Sequence, residues 1–575
     1  MEPIVEKKVI IGIDFGTAGI GFAYGFLNDT QKKVYPGHFD GQNVGSKIPT
    51  EIILDNNLEK IVAFGADCTP YISSHNSNEY HHFKKIKMNL YKKIYKIKSN
   101  NQLKEVDIEL IIKLMLIEIK KKAIEQIKRS YPSLIEKNCR FIITVPAIWD
   151  YKSKQIMINA ATKAGLFNEN DDIGTFFALE PEAASIFYNT DQSSYQNVIR
   201  MECPFILCDL GSGTVDIIVQ KKVIKNNITT FEELYPPVGG NFGSNRINEL
   251  FMDNVIKNLF GKEALNQIEN KFNDLYQDWI KFEDEIELFK KSYRSFEQKK
   301  NYFAINCEIF EDYCNNKTIK ELVEKFNIHC KETWKIRIKR KWILEFPFNI
   351  IDDLINEILE GVLNCIKEIK QSMKENVTSF VFTGGASLSP IMVNKIQKVD
   401  EVRLNYVKSH NPEVAISHGS VKFAFDRNII TVRKAKYTFG IGVLDKWKNS
   451  YEGKGKKILI NGKENCDNLF SRFITKGENL AYNKVIKRQY FMECPMIFIE
   501  LFRTDEENVT FVDEKDDQNN LKVFKFGVIT LDVGDKYDPN NNSVYVEMKF
   551  GGTFVSVSAK YSKTGEKINS IIAFE

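Results

Sequence analysis

The sequence contains no Gly-x-x-x-x-Gly-Lys-Ser/Thr run, which excludes a P-loop nucleotide site. After Gly19 and Gly21 the third glycine of a dinucleotide fingerprint is missing, and Phe22-Ala23-Tyr24 continues as a strand instead of opening a helix, so a Rossmann site is excluded as well. The seven histidines form no His-Glu-x-x-His pattern. His81 and His82 are adjacent, would point to opposite faces of a strand, and are expected at the surface rather than on a metal. The ten cysteines include no Cys-x-x-Cys pair, the nearest spacing being Cys203 with Cys208, which argues against a zinc cage or a thioredoxin-like site and for reduced, mostly buried thiols.

Long apolar runs are also absent. Ile108 to Ile119 is broken by Glu109, Lys113 and Glu118, whereas a spanning helix needs about 20 apolar residues, so this stretch reads as a buried or amphipathic helix. Met1 to Lys8 lacks the basic, apolar, small-residue order of a secretory signal, and a cytoplasmic location is expected. A formal net charge of +4 gives no push toward nucleic acid or an anionic membrane. The basic stretch Lys84 to Lys98, with Tyr91 and Tyr95, reads as a solvated face.

What the chain does have is length and a repeated device. Its 575 residues exceed one hydrophobic core and suggest three or four compact units, at roughly 150 residues each. Val9 to Asp14 is a β-branched apolar run, Phe15 to Gly19 a turn, and Ile20 to Phe26 the returning strand. Phe205 to Cys208 leads into Asp209-Leu210-Gly211-Ser212-Gly213-Thr214, and Val215 to Val219 returns. Glycines let backbone N–H groups approach phosphate oxygens closely, and Thr17 and Thr214 add hydroxyls. Carboxylates at the strand ends repel phosphate, so Asp14, Asp209 and Asp216 are candidates to hold hydrated Mg²⁺. Either turn alone is equally readable as an ordinary tight turn, since Asp and Gly favour turns. Two of them, with Asp14 and Asp209 about one domain apart in the chain, suggest two related lobes facing a cleft.

With these residues in view, the chain resembles the actin, hexokinase and 70-kDa heat shock protein superfamily. IGIDFGTAGIGFAY looks like its first phosphate motif, CDLGSGTVDIIV its second, and FVFTGGASLSPIMVNKI its adenosine motif. ITVPAIWDYKSKQIMINAATKAG and LEPEAASI are closer to the heat shock family, and to its divergent type-12 branch. The resemblance implies an α/β fold with a two-lobed actin-like ATPase of duplicated ribonuclease-H-like lobes, followed by a small β-rich domain. It implies lobe I over 1–200, lobe II over 201–445 with a helical subdomain at about 245–375, and the β-rich domain over 446–575.

It further implies ATP/ADP with Mg²⁺ as cofactors. Gly16, Thr17, Gly211, Ser212, Gly213 and Thr214 would lie under the phosphates, and Gly384 and Gly385 against ribose and adenine. Glu287 and Lys290 match an adenine clamp whose serine is displaced to Ser292 or Ser295. Glu180 matches the family's water- or metal-orienting glutamate, Lys87 is the nearest candidate for the neutralising lysine, and these two with Asp209 form the catalytic set. Read on its own, Glu180 has a second, less favoured reading as a first-turn acid beside Pro181 suited to a helix dipole, and Gly384-Gly385 has one as a strand-to-helix turn.

The family's Gly-Gly-x-x-Phe-Asp segment appears as Gly239-Gly240-Asn241-Phe242-Gly243-Ser244, without the acid. FGGTFVSVSAKYSKTGEKINSIIAF resembles the closing strands of the family's peptide-holding β-sandwich, and strand addition by an extended peptide is one expectation. A β domain that only packs on the ATPase is the other, because no helical lid or acidic tail follows it. The leading expectation is a slowly hydrolysing Mg-ATP-dependent chaperone-like protein with peptide segments or a signalling partner as its targets. A nucleotide-gated scaffold with little turnover and a small-molecule kinase are the alternatives.

Overall fold

A computed structural model describes residues 8–39, 45–167, 176–190, 199–225, 228–293, 301–398, 405–408, 411–460 and 462–573. The chain is mixed α/β and builds several separate sheets, two of which carry the same device. In a six-stranded sheet, Val9–Phe15 and Gly19–Phe26 form an antiparallel hairpin with Asp14 opposite Gly21. Cys139–Val145 and then Phe177–Leu179 add in parallel beside it. In a seven-stranded sheet, Pro204–Leu210 and Val215–Lys225 form the hairpin with Asp209 opposite Asp216, and Ser379–Thr383 and Asn405–Lys408 add in parallel.

Parallel neighbours need crossovers. Tyr151–Lys163 provides one between strands of the first sheet, and Pro390–Gln397 one in the second. Helices cover both faces of such a sheet, which is why Val9–Phe15 and Pro204–Leu210 are buried at every residue and read as unbroken apolar runs. Between the two sheets lies one apolar cluster containing Ile10, Ile142, Phe205, Leu207 and Ile218. The helices Glu180–Thr190 and Pro412–Phe425 cross there so closely that a methyl on Gly419 would sit 1.7 Å from the Ala183 carbonyl oxygen.

Two expectations change. The region from 250 to 372 holds the expected helices, Phe272–Ser292 and Asn349–Ser372, but also a three-stranded sheet of Tyr302–Asn306, Ile343–Pro347 and Arg337–Arg340. Its edge strand Arg337–Arg340 is exposed at all four residues, and a charged edge leaves no apolar period to read. The first of the two helices ends at Ser292, and 294–300 lie outside the described residues. The β-rich domain is expected from 446, but the strand Thr438–Lys446 already belongs to a five-stranded sheet.

The C-terminal part holds that sheet and a four-stranded one formed by Lys484–Phe491, Ser543–Phe550, Phe554–Tyr561 and Lys567–Ala573. Ser543–Phe550 buries every second residue, the pattern of a strand with one face on a core. A short strand, Asn479–Ala481, pairs with Ile430–Lys434 and so joins the edge of the seven-stranded sheet. Beside it Arg433 is buried, its Nε and Nη2 donating to the two carboxylate oxygens of Glu182 at 2.6 and 2.7 Å and its Nη1 to the Gly551 carbonyl. Thr553 Oγ1 donates to the Phe177 carbonyl at 3.0 Å. The ring of Phe554 meets that of Phe177 edge-on at 5.0 Å.

Glu233, on the neighbouring strand, accepts the Lys434 N–H at 2.8 Å, while its Oε2 has no hydrogen-bond partner among the described residues. Burial, then the charge of Glu182, pushes its carboxyl up to about 8. The folded protein therefore keeps a proton that the unfolded chain releases near its ordinary value of 4.5, and stability falls as pH rises from there to about 8. Glu233→Gln is expected to flatten that slope, by a loss on the order of a few kcal/mol. Urea unfolding of both proteins at about pH 5 and about pH 8.5 checks it, and equal slopes would count against it.

Candidate functional site

The two hairpin turns meet face to face. A methyl on Gly213 would lie 2.5 Å from Thr17 Oγ1 and 2.3 Å from Met88 Sδ, so the second turn fits against the first only without a side chain. The carbonyls of Gly211, Ser212 and Gly213 accept the N–H groups of Ser244, Asn245 and Gly243 at 3.3, 2.7 and 3.2 Å. Thr50 Oγ1 donates to the Gly16 carbonyl at 2.8 Å. Both turns thus have carbonyls tied back into the protein.

Between the turns lies a cavity of about 360 Å³. Asp14, Gly16 and Thr17 line it from the first hairpin, and Asp209 with Gly211 to Thr214 from the second. Lys87, Glu180, Gly384 and Gly385 also form part of the wall. With Lys47 to Pro49 and Glu413 with Ile416 also in its lining, the structure gathers residues from seven separate segments of the chain at one place.

Four carboxylates cluster here, Asp14, Glu180, Asp209 and Asp216, each at most 5% exposed. Burial raises the Glu180 carboxyl to about 8, against the opposing charge of Lys87. Burial, reinforced by Asp216 and Asp14, raises Asp209 to about 7. Asp209 Oδ1 is buried without a hydrogen-bond partner among the described residues, and a methyl on Gly384 would come within 2.4 Å of it. Among the described residues no three of these acids converge to hold a metal ion directly, so an unpartnered carboxylate oxygen beside other acids could take a divalent cation only through water.

Asp216 is differently placed. Its Oδ1 accepts the N–H groups of Ala147 and Ile148 at 2.8 and 3.2 Å, and its Oδ2 accepts the Thr214 hydroxyl at 3.2 Å. It does not line the cavity, and its bonds brace the second turn against the end of Cys139–Val145.

Lys87 is 5% exposed, ion-paired with Glu180 Oε1 and 5.7 Å from the Trp149 ring. Lys84 pairs with Glu283. The Lys84 to Lys98 stretch is thus not uniformly a solvated face, because Ile86–Tyr91 is a short helix turned inward at Ile86, Lys87, Met88 and Leu90. His81 and His82 are buried rather than at the surface. Their strand is covered on both sides, by Ser99 near His81 at 3.3 Å and by Tyr276, whose hydroxyl is 2.6 Å from His82 Nδ1. Burial lowers the pKa of both.

Glu287 and Lys290 are not in the 360 Å³ cavity. Glu287 lines an adjoining one of about 800 Å³, which shares Thr17, Ala18 and Pro49 with it. Lys290 pairs with Glu287 at 2.6 Å and donates to the Ser244 carbonyl at 3.2 Å. Burial would raise Glu287, but Lys290 and Asn248 hold it down to about 2. At the position of the missing acid stands Ser244, whose N–H donates to the Gly211 carbonyl and whose carbonyl accepts from Lys290. Two residues earlier Phe242 is a packing knob, filling the space over Gly240 and Gly361, where a methyl on either would lie 2.7 or 2.2 Å from its ring.

Sequence reasoning missed Lys47, Glu413 and Lys291. Lys47 and Glu413 line the smaller cavity and Lys291 the larger. Lys47 Nζ is 2.6 Å from Asp14 Oδ2, and Lys291 is 3.3 Å from Glu287. Lys47 sits in a three-residue strand, Lys47–Pro49, too short to carry a pattern.

Residues 201–424 match a family model described as "Domain of unknown function (DUF8340)". Heat shock 70 kDa protein 12A of Mus musculus is 23% identical over 100% of this chain and 93% of its own length. Heat shock 70 kDa protein 12B of Homo sapiens is 21% identical over 99% and 91%. Chaperone protein HscA of Buchnera aphidicola subsp. Schizaphis graminum is 26% identical over 50% of this chain and 38% of its own length.

Gly384 holds φ at +79°, and a methyl there would also meet the Leu210 carbonyl at 2.5 Å. Gly384→Ala is expected to destabilise the protein by about 1–3 kcal/mol, from left-handed strain and the contact with Asp209. Gly385, with nothing within 4 Å of an added methyl, is the control. Thermal unfolding compares the two, and equal midpoints would contradict the assignment.

Proposed function

From the chain's place as a divergent relative of the type-12 branch of the 70-kDa heat shock proteins, we propose that it is a Mg-ATP-binding, slowly hydrolysing chaperone-like protein. In this reading the two hairpin-bearing sheets belong to two lobes that close on nucleotide and act on the C-terminal β domain. The observation that carries it is the cavity between two abutting glycine turns, closed by Glu180 with Lys87 on one side and Gly384-Gly385 on the other.

The turns act as phosphate cradles. Their carbonyls are engaged by Thr50 and by residues 243–245, which suits N–H groups turned toward an anion. Gly384 and Gly385 leave backbone free for a ribose, and the adjoining cavity with Glu287 and Lys290 suits adenine. Asp14 and Asp209, with Asp216 behind them, would hold Mg²⁺ through water. Bound there, Mg²⁺ would neutralise phosphate charge.

Glu180 orients the attacking water, and burial raises its carboxyl above the ordinary carboxylate range, against the opposing charge of Lys87, which makes it a stronger proton acceptor than a solvated glutamate. Lys87 holds Glu180 in place and supplies positive charge toward the phosphates. The C-terminal β domain touches this machinery through Thr553 on the Phe177 carbonyl, in the strand that ends immediately before Glu180, and through Arg433 on Glu182 and Gly551.

A scaffold with little turnover is the second reading, favoured by Ser244 standing where an acid was expected.

Calorimetric titration is expected to show Mg-ATP binding that Asp209→Ala weakens by about tenfold or more, since a buried metal-shell carboxylate is lost. Single-turnover hydrolysis separates the two readings. Slow turnover abolished in Lys87→Met fits the ATPase, binding without turnover fits the scaffold, and no binding refutes both. For the coupling, ATP is expected to change amide exchange at 551–554 in the wild type and not in Arg433→Met. An unchanged pattern in the wild type would remove the C-terminal domain from the cycle.

A further inference from the structure

Lys47 is built into the cavity by strand register. Asp14 pairs with Gly21 across the first hairpin, and Gly21 pairs in turn with Lys47 on the next strand. The three residues form one row across the sheet, with a glycine in the middle. A methyl on Gly21 would lie 2.9 Å from Lys47 Cγ, and one on Gly19 3.4 Å from Lys47 Cβ. The lysine stem thus runs over the two glycines, and its Nζ reaches Asp14 Oδ2 at 2.6 Å. Its side chain remains 23% exposed and lines the cavity together with Asp209 and Glu180.

We propose that Lys47 is a built-in cation of the phosphate site, which neutralises Asp14 in the empty cleft and turns to polyphosphate on binding, so that nucleotide is held with reduced dependence on a divalent ion. The inference rests on the nucleotide reading above and adds to it a residue and a cofactor dependence.

The charge count motivates it. Three buried carboxylates, Asp14, Glu180 and Asp209, line the cavity with two lysines, Lys47 and Lys87, Asp216 lies behind them, and Lys87 is engaged by Glu180. Without Lys47 an incoming polyphosphate would meet Asp14 and Asp209 uncompensated, and only a divalent cation could bridge the like charges. An ammonium on a flexible four-carbon stem with three donors can exchange a carboxylate partner for a phosphate oxygen within the same cavity. Because the stem crosses glycines, it is free to make that movement along the sheet surface.

The test is calorimetric titration of ADP and of ATP into the full chain, in Mg²⁺ and in EDTA, for wild type, Lys47→Gln and Lys47→Arg. In wild type, removing Mg²⁺ is expected to weaken binding by no more than about tenfold, a single modest electrostatic contribution. In Lys47→Gln the loss on removing Mg²⁺ is expected to exceed the wild-type loss by at least about tenfold, with Lys47→Arg close to wild type. Equal losses in wild type and Lys47→Gln would overturn the proposal. Absence of binding by wild type in Mg²⁺ would instead overturn the nucleotide reading itself. Binding by Lys47→Gln in Mg²⁺ shows that the variant is folded, and a variant that binds in neither condition while retaining the wild-type melting transition would also overturn the proposal, because Mg²⁺ should then suffice.

Discussion

Four carboxylates held out of water at one point are the constraint around which the rest of the molecule is arranged. Desolvating an ionised carboxylate costs several kcal/mol unless charge or hydrogen bonds replace the lost water. Each acid here is met differently. Lys87 answers Glu180 and Lys47 answers Asp14. Two amides at the end of a neighbouring strand answer Asp216. Asp209 Oδ1 has neither a hydrogen-bond partner nor an ion pair among the described residues. Such a cluster is costly for stability alone, and in the nucleotide reading proposed above a hydrated cation with its phosphate is what makes use of it.

The same constraint explains the glycines. For acids from two sheets to approach, the turns that carry them must touch, and Gly213 against Thr17 leaves no room for a side chain. Gly384 is held at positive φ against Asp209, and Gly419 lets two helices cross beneath. These are close backbone approaches, and each is expensive to alter because the obstructing atom lies on the backbone or on a packed side chain. Behind the turns the apolar cluster containing Ile10, Phe205 and Leu207 fixes the separation of the sheets. The geometry of the cavity is therefore set from the inside, by packing, and only its polar contents are open to exchange.

Much of this was legible in the sequence because it is local. An apolar run, a turn and a returning run occupy under twenty consecutive residues, and both hairpins, with Asp14 and Asp209 at their bends, can be read from that pattern. Glu180, Lys87 and Gly384 needed the resemblance to a known family, since nothing in their own neighbourhoods distinguishes them from a first-turn acid, a surface lysine and a turn. What was not legible depends on partners far away in the chain. Lys47 becomes part of the site only through pairing with Gly21, and His82 is buried only because Tyr276 covers it. The exposed strand Arg337–Arg340 has no apolar face, so no periodicity marks it.

The helix that begins at Glu180 joins the cleft to the C-terminal sheets in a way that follows from helical geometry. Successive residues turn by about 100°, so side chains two apart point to opposite sides of the axis. Glu180 meets Lys87 in the cavity, and Glu182 meets Arg433, which holds the Gly551 carbonyl. The strand just before the helix carries Phe177, whose carbonyl accepts from Thr553 and whose ring packs on Phe554. One turn of helix and one short strand thus bear contacts to both regions, with little flexible chain between them. A rotation of that first turn large enough to move Glu180 off Lys87 would also pull Glu182 against a buried, bidentate guanidinium. Breaking such a pair leaves an uncompensated charge at a cost of about 3–5 kcal/mol. The C-terminal sheets would therefore have to shift with the helix or resist its motion, and either response ties their position to the state of the cleft.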